Sequence, residues 1–385
     1  MMNPKAAKFI TTQVVHHGPG AVDQLTQEVR KFFSQRVGII TDATIAQVGI
    51  LERVREVVEA ETFCFQDVLP EPPYELVDHC VRFLQEQQCD LVIGLGGGSS
   101  IDTAKMAAVM MKNAGKVSDY FGVGKVPSPG LPVIAIPTTA GTGSEVSPAS
   151  VFADAQDQTK KGVRTDFLQP AVAILDPVLT LSLPQTLTAS TGIDALTHAI
   201  ECYTSPNATL LSDLAAEKAI SVIGRYLREA YAKGDNLEAR NGMLMGSYLA
   251  GIALAVANVG IVHAFAQTLG GLYHIPHGVA NALFLPYVME FNRPGCREKY
   301  AKIAELLGEP LAGVSLDKAS KKAVKAVRRL TRDLRIPQKL HELEIPEEAV
   351  ELVAERCLQT QGRLVVNNPR TLNLDEAREI LEAAY

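Results

Sequence analysis

Leu91-Val-Ile-Gly-Leu-Gly-Gly-Gly-Ser-Ser-Ile-Asp-Thr-Ala-Lys-Met-Ala-Ala-Val-Met110 reads as a strand, a glycine turn and a helix in direct succession. Leu91–Leu95 has the length and apolarity of a strand buried on both faces, and Ile101–Met110 carries a helical pattern. Between them, Gly96-Gly97-Gly98-Ser99-Ser100 lets the backbone approach an anion closely. The free N–H groups and the dipole of the following helical turn favour a phosphate there. The spacing is not G-x-G-x-x-G, and an ordinary tight turn would use similar residues. Three consecutive glycines and two serines at this junction favour the phosphate.

The same logic extends outward. Val37–Thr41, Pro132–Ile136 and Ala171–Leu175 are further apolar β-branched runs, and Ile50–Ala60 and Tyr74–Gln88 show the i, i+3, i+4 spacing of helices. Strands alternating with helices predict parallel βαβ units. Pro137-Thr138-Thr139-Ala140-Gly141-Thr142-Gly143-Ser144-Glu145 is a second small-residue loop after a strand. Ligands lie at the carboxyl ends of parallel strands, so the two loops outline one elongated ligand, with a pyrophosphate at the first and a ribose or nicotinamide at the second. Asp42 closes Val37–Thr41, where a carboxylate would bind an adenosine ribose and repel a 2′-phosphate, favouring NAD over NADP. Capping the next helix is an equally good use of Asp42.

From about Pro184 the strand signal stops and helical patterns follow to the end. We therefore expect an α/β Rossmann-like dinucleotide-binding domain over 1–185, an all-α metal-binding domain over 186–385, and a cleft where they meet. The chain of 385 residues has 37 Lys+Arg against 43 Asp+Glu, a net charge of −6. That balance supplies no field to hold nucleic acid or an anionic membrane. Its six cysteines include no C-x-x-C pair, and the first residues lack the apolar stretch of a secretory signal, so a cytoplasmic protein is expected. Gly242–Val262 is uncharged and as long as a membrane span. Internal Gly and Asn, and no Lys/Arg belt at both ends, favour a buried helix.

No Asp, Glu, Lys or Arg occurs between Arg240 and Glu290, yet His263, His274 and His277 lie there. Imidazoles in apolar surroundings need hydrogen bonds or a metal. Asp194 and His198 lie four residues apart in a helical pattern and share a face. Together Asp194, His198, His263 and His277 would suit a divalent transition metal and leave room for a substrate oxygen. Spacing alone leaves core histidines as the alternative. His274, three residues before His277 across a proline turn, is expected in a cleft beside the ligands.

Gly96–Lys105, Pro137–Glu145, Thr191–Glu201 and Pro276–Asn281 closely resemble the iron-containing (group III) alcohol dehydrogenase family, and the resemblance runs nearly end to end. It implies NAD and a divalent iron, with zinc able to take the same ligands, held by Asp194, His198, His263 and His277. It further implies Asp42 on the adenosine ribose and Gly96, Gly97, Gly98, Ser99 and Ser100 on the pyrophosphate. Thr138, Thr139 and Thr142 then lie along the ribose and nicotinamide, and Lys161 at the ribose hydroxyls, with Lys160 one residue away. Two positions depart from the family pattern: Gln267 stands where many members carry a histidine, and Glu71 where many carry an asparagine. An amide cannot relay a proton, so His274 or water is expected to take that part beside Gln267.

The implied reaction is reversible hydride transfer between a primary alcohol or aldehyde and NAD(H) by a homo-oligomer. The alternatives are a maleylacetate-reductase-like or hydroxy-acid oxidoreductase, a dehydroquinate-synthase-like lyase and an NAD sensor. The substrate carboxylates or phosphates of the first three call for cationic residues that 241–289 lacks, and a sensor has no use for four metal ligands.

Overall fold

The structure is a computed structural model that describes residues 7–154, 157 and 159–385. It divides into two compact units, Ile10–Leu183 and Pro184–Tyr385, the described residues before Ile10 grouping with the second.

The first unit carries strands β1 (Val14–His17), β2 (Arg36–Ile40), β3 (Glu61–Phe65), β4 (Leu91–Gly96), β5 (Gly122–Val123), β6 (Val133–Pro137), β7 (Ala149–Asp154), β8 (Thr159–Arg164) and β9 (Val172–Leu175). Its helices are α1 (Leu25–Lys31), α2 (Ala43–Gln47), α3 (Ile50–Glu56), α4 (Glu75–Glu86) and α5 (Gly98–Met110). Six strands form a sheet in the order β1-β9-β6-β4-β2-β3, every neighbouring pair parallel. The central runs are apolar throughout because both faces are covered: Ile39, Leu91, Ile93, Leu95 and Ile136 enter one core, Ile40, Val92 and Val133 the other.

The four apolar runs appear as β2, β4, β6 and β9. β1 and β3 were not expected, because edge strands are only partly buried and mix polar with apolar residues. A second sheet was not expected either. β7 pairs antiparallel with β8, and β8 pairs with β5, in a separate three-stranded sheet. Thr-Lys-Lys-Gly-Val-Arg of β8 has no apolar run to reveal it.

The second unit contains α6 (Gln185–Thr204), α7 (Leu210–Ala232), α8 (Leu237–Ala257), α9 (Ile261–Tyr273), α10 (His277–Asn292), α11 (Arg297–Leu306), α12 (Leu316–Asp333), α13 (Ala349–Thr360), α14 (Gly362–Val365) and α15 (Leu374–Ala384), and no strand among the described residues. Gly242–Val262 is not one helix: α8 ends at Ala257 and α9 leaves at 99° after a short break. Among the described residues no single helix is long and apolar enough to cross a membrane.

Candidate functional site

In the six-stranded sheet the chain leaves β2 for β3 on one side and β4 for β6 on the other, so the winding reverses between these neighbours. Ligands of open α/β sheets sit at the strand carboxyl ends beside such a reversal. Asp42 lies two residues after β2, Gly96–Gly98 lead from β4 into α5, and Thr138–Thr142 follow β6. Asp42 does cap α2: its Oδ1 accepts from the N–H groups of Thr44 at 2.9 Å and Ile45 at 3.1 Å. Its other oxygen points toward the glycine turn, 3.4 Å from where a Cβ on Gly96 would lie. The cap thus uses Oδ1 alone.

Helix α5 begins at Gly98, placing Ser99 and Ser100 in its first turn, and no side chain among the described residues caps that end. The two loops touch. The Thr138 N–H donates to the Gly96 carbonyl at 3.0 Å, and a Cβ on Gly98 would lie 2.7 Å from Thr142 Cγ2. Only glycine permits that approach. Beneath the second loop, the fully buried Lys105 of α5 pairs with Asp102 at 2.9 Å. Its ammonium also donates to the carbonyls of Ser144, Ser147 and Ala149, tying the loop's far end to α5.

Glu145, at the end of that loop, is buried, and its Oε1 has no hydrogen-bond partner among the described residues. Burial pushes its carboxyl up to about 7 from an ordinary 4.5, more than its own N–H and Lys105 pull it down. The folded state therefore holds this proton more tightly than the unfolded chain, and stability falls as pH rises from about 4.5 to about 7. Glu145→Gln should gain on the wild type by roughly 3 kcal/mol between pH 5 and 8. Urea unfolding at the two pH values checks this, and an unchanged difference would refute it.

The lysines of β8 separate because successive strand residues face opposite ways. Lys161 pairs with Asp154 at 2.7 Å and with Asp157. Lys160 instead meets Glu71 at 2.8 Å, and the Glu71 N–H donates to Ser99 Oγ at 3.3 Å. Of the two, Lys160 is linked to the glycine turn.

In the second unit, α6 presents Asp194 and His198 on one face, α9 presents His263 in its first turn, and His277 opens α10. The Nε2 atoms of His263, His198 and His277 lie 3.6, 3.9 and 3.9 Å from Asp194 Oδ1. His198 stacks on His263 with ring centroids 4.7 Å apart. Ligand atoms of Asp194, His263 and His277 all fall within 4.8 Å of one another. Burial alone would raise the Asp194 pKa, but His198, His263 and His277 outweigh it and hold the carboxyl below its usual range. Burial likewise opposes charge on His263, and Glu201 and Asp194 overcome it, pushing the imidazole up to about 9.

Local structure explains how distant residues meet. The Asn367 amide donates to the carbonyls of Ala257 at 3.1 Å and Val259 at 2.8 Å, holding the break that turns α9. A Cβ on Gly278 would lie 2.8 Å from the Ser190 carbonyl, so glycine lets the first turn of α10 sit against α6. Two residues not singled out from the sequence complete the centre. The Asn281 amide donates to Asp194 Oδ1 at 2.6 Å, and Glu201 Oε2 lies 2.6 Å from His263 Nδ1. Glu201 continues the Asp194–His198 face at i+7, a signal available in advance. Gln267 is half-buried one turn after His263, and His274 ends α9 exposed in the left-handed region at φ 56°.

The donor set fits a divalent first-row metal: nitrogen and carboxylate ligands, with the buried His263 Nε2 lacking a hydrogen-bond partner among the described residues. A doubly wound unit with two phosphate-type loops and a helical unit with such a centre define a dinucleotide- and metal-dependent enzyme. The sequence model of the iron-containing alcohol dehydrogenases matches residues 12–177, and that of the C-terminal region of the Fe-containing alcohol dehydrogenase family matches 188–385. The chain is 43% identical over 385 residues to long-chain-alcohol dehydrogenase 1 of Geobacillus thermodenitrificans, covering 98% of this chain and 97% of the relative. It superposes on the crystal structure of a 1,3-propanediol oxidoreductase with a TM-score of 0.96 and 36% identity, over 99% of this chain and 100% of that one. The sulfoacetaldehyde reductase of Bifidobacterium kashiwanohense, solved with NAD+, gives 0.90 and 28% over 99% of both chains. The chain belongs to the iron-containing alcohol dehydrogenase family. It is an oxidoreductase that interconverts alcohol and aldehyde with NAD(H) and a divalent metal.

Proposed function

We propose that the chain oxidises primary aliphatic alcohols to aldehydes reversibly, with NAD on the first unit and divalent iron held by Asp194, His198, His263 and His277. The observation that carries this reading is the gathering of three imidazole Nε2 atoms within 3.9 Å of one carboxylate oxygen. The 43% identity to a long-chain-alcohol dehydrogenase supports an aliphatic substrate. When bound, the metal supplies Lewis acidity toward the substrate oxygen, and the nicotinamide supplies the hydride acceptor.

The protein's own groups do the rest. Asp194 and the three imidazoles fix the cation's position, and Glu201 and Asn281 orient them. The first-turn N–H groups of α5, Ser99 and Ser100 hold the pyrophosphate, Asp42 Oδ2 the adenosine ribose, and Thr138, Thr139 and Thr142 the nicotinamide half. Lys160, through its link to the glycine turn, is the better placed of the two β8 lysines for a ribose. Gln267 orients the substrate hydroxyl by hydrogen bonding and leaves its proton to water or to His274, which exchanges with solvent. The lack of charged residues over 241–289 keeps other ions from competing with the reacting centre.

A homo-oligomer in the cytoplasm completes the proposal, supported for the compartment by six cysteines, none of them in a disulfide among the described residues. The test is NADH formation over a panel of primary alcohols with stripped enzyme reloaded with Fe(II) or Zn(II). Activity restored by metal is expected. NAD binding without NADH formation from any alcohol would overturn the reading.

A further inference from the structure

We propose that Glu201 is a positioning residue for the metal centre, setting which nitrogen of His263 faces the cation and where the helix bearing it begins. The inference rests on the ligand set proposed above. Glu201 is buried at 6% exposure and uses both carboxylate oxygens on the start of α9. Oε2 lies 2.6 Å from His263 Nδ1, and Oε1 accepts the Val262 N–H at 2.7 Å.

An ionised carboxylate only accepts, so Nδ1 must carry the hydrogen, and Nε2 is left to point at Asp194, 3.6 Å away. The second contact matters as much. The backbone arrives at α9 from the break after Ala257, and the Cβ site of Gly260 is 3.2 Å from Glu201 Oε1. One side chain on α6 thus fixes both the ring of His263 and the first turn that carries it. Asp194 and Glu201, on the same face of α6, act on opposite nitrogens of that ring. Carboxylates that bind the outer nitrogen of a ligating imidazole typically account for 10–100-fold in metal affinity.

Two variants test this. In Glu201→Gln, Oε1 of the amide accepts one of the two N–H groups, but its NH2 then faces the other. Glu201→Leu removes both acceptors at similar volume. Zinc affinity by chelator competition should fall about 10-fold in the first and about 100-fold in the second, with NAD affinity unchanged. The visible bands of Co(II)-loaded Glu201→Gln should shift from those of the wild type, which loss of packing alone would not cause. If Glu201→Leu does not fold, the Gln variant decides the matter. Wild-type zinc affinity and an unchanged Co(II) spectrum in Glu201→Gln would overturn the role of Glu201 while leaving the metal centre standing. Failure of the wild type itself to bind zinc or Co(II) would overturn the metal centre and this inference together.

Discussion

His263→Ala is expected to abolish metal retention and lower turnover by about 1000-fold or more, while NAD affinity stays within about twofold. The ring lies between Asp194 at 3.6 Å and Glu201 at 2.6 Å, so its loss removes one of the proposed ligands and leaves two buried carboxylates without their shared partner. Lewis-acid stabilisation is worth several kcal/mol of the barrier, and each 1.4 kcal/mol is a factor of ten in rate. The NAD cradle proposed for β2, β4, β6 and α5 lies within the first unit, so its affinity reports whether that unit remains folded. Leaving Glu201 Oε2 charged and without its imidazole partner should lower stability by about 3 kcal/mol, Oε1 keeping the Val262 N–H. Adding Glu201→Gln to His263→Ala should recover much of that stability but no metal. Metal analysis after dialysis, steady-state kinetics and NAD titration measure the three quantities. Loss of NAD binding with metal content intact would reverse the assignment of His263.

How far this site was readable in the sequence depends on whether local or long-range structure sets each part. The β4–α5 turn is local: an apolar run, three glycines and a helical pattern place the phosphate loop within a few residues. Asp194 and His198 are local as well, four residues apart on one helix. Their meeting with His263 and His277 is not. It depends on the break after Ala257, which Asn367 holds from more than a hundred residues away, and on the close approach of Gly278 to Ser190. Glu201 was visible as a third member of the α6 face, but its task was hidden because its partner lies on α9. The choice between Lys160 and Lys161 was closed to sequence reading for a different reason. In a strand, an offset of one residue changes the face, and the polar sequence of β8 gave no sign that it was a strand.

Gly98→Val should raise the dissociation constant for NAD by about 100-fold or more without altering metal content. A Cβ at this position would lie 2.7 Å from Cγ2, 2.9 Å from Oγ1 and 3.0 Å from Cβ of Thr142, so even one methyl group forces the loops apart. Thr142 cannot easily turn aside. It is β-branched and stiff at χ1, and its Oγ1 donates to Ser144 Oγ at 3.1 Å and accepts the Ser144 N–H at 3.3 Å. Relief must come from a shift of the first turn of α5 or of the second loop. Either shift misaligns the N–H groups proposed to hold the pyrophosphate, and hydrogen bonds to a charged group are worth about 1.5–3 kcal/mol each. Two weakened bonds are enough for the predicted loss, at about 1.4 kcal/mol per factor of ten. Gly98→Ala should fall between the wild type and Val. In that background Thr142→Ala, which removes the two closest atoms, should bring back part of the affinity. If NAD instead binds folded Gly98→Val as tightly as the wild type, the cofactor does not lie across these loops, and the proposed course of the hydride from substrate to ring fails with it.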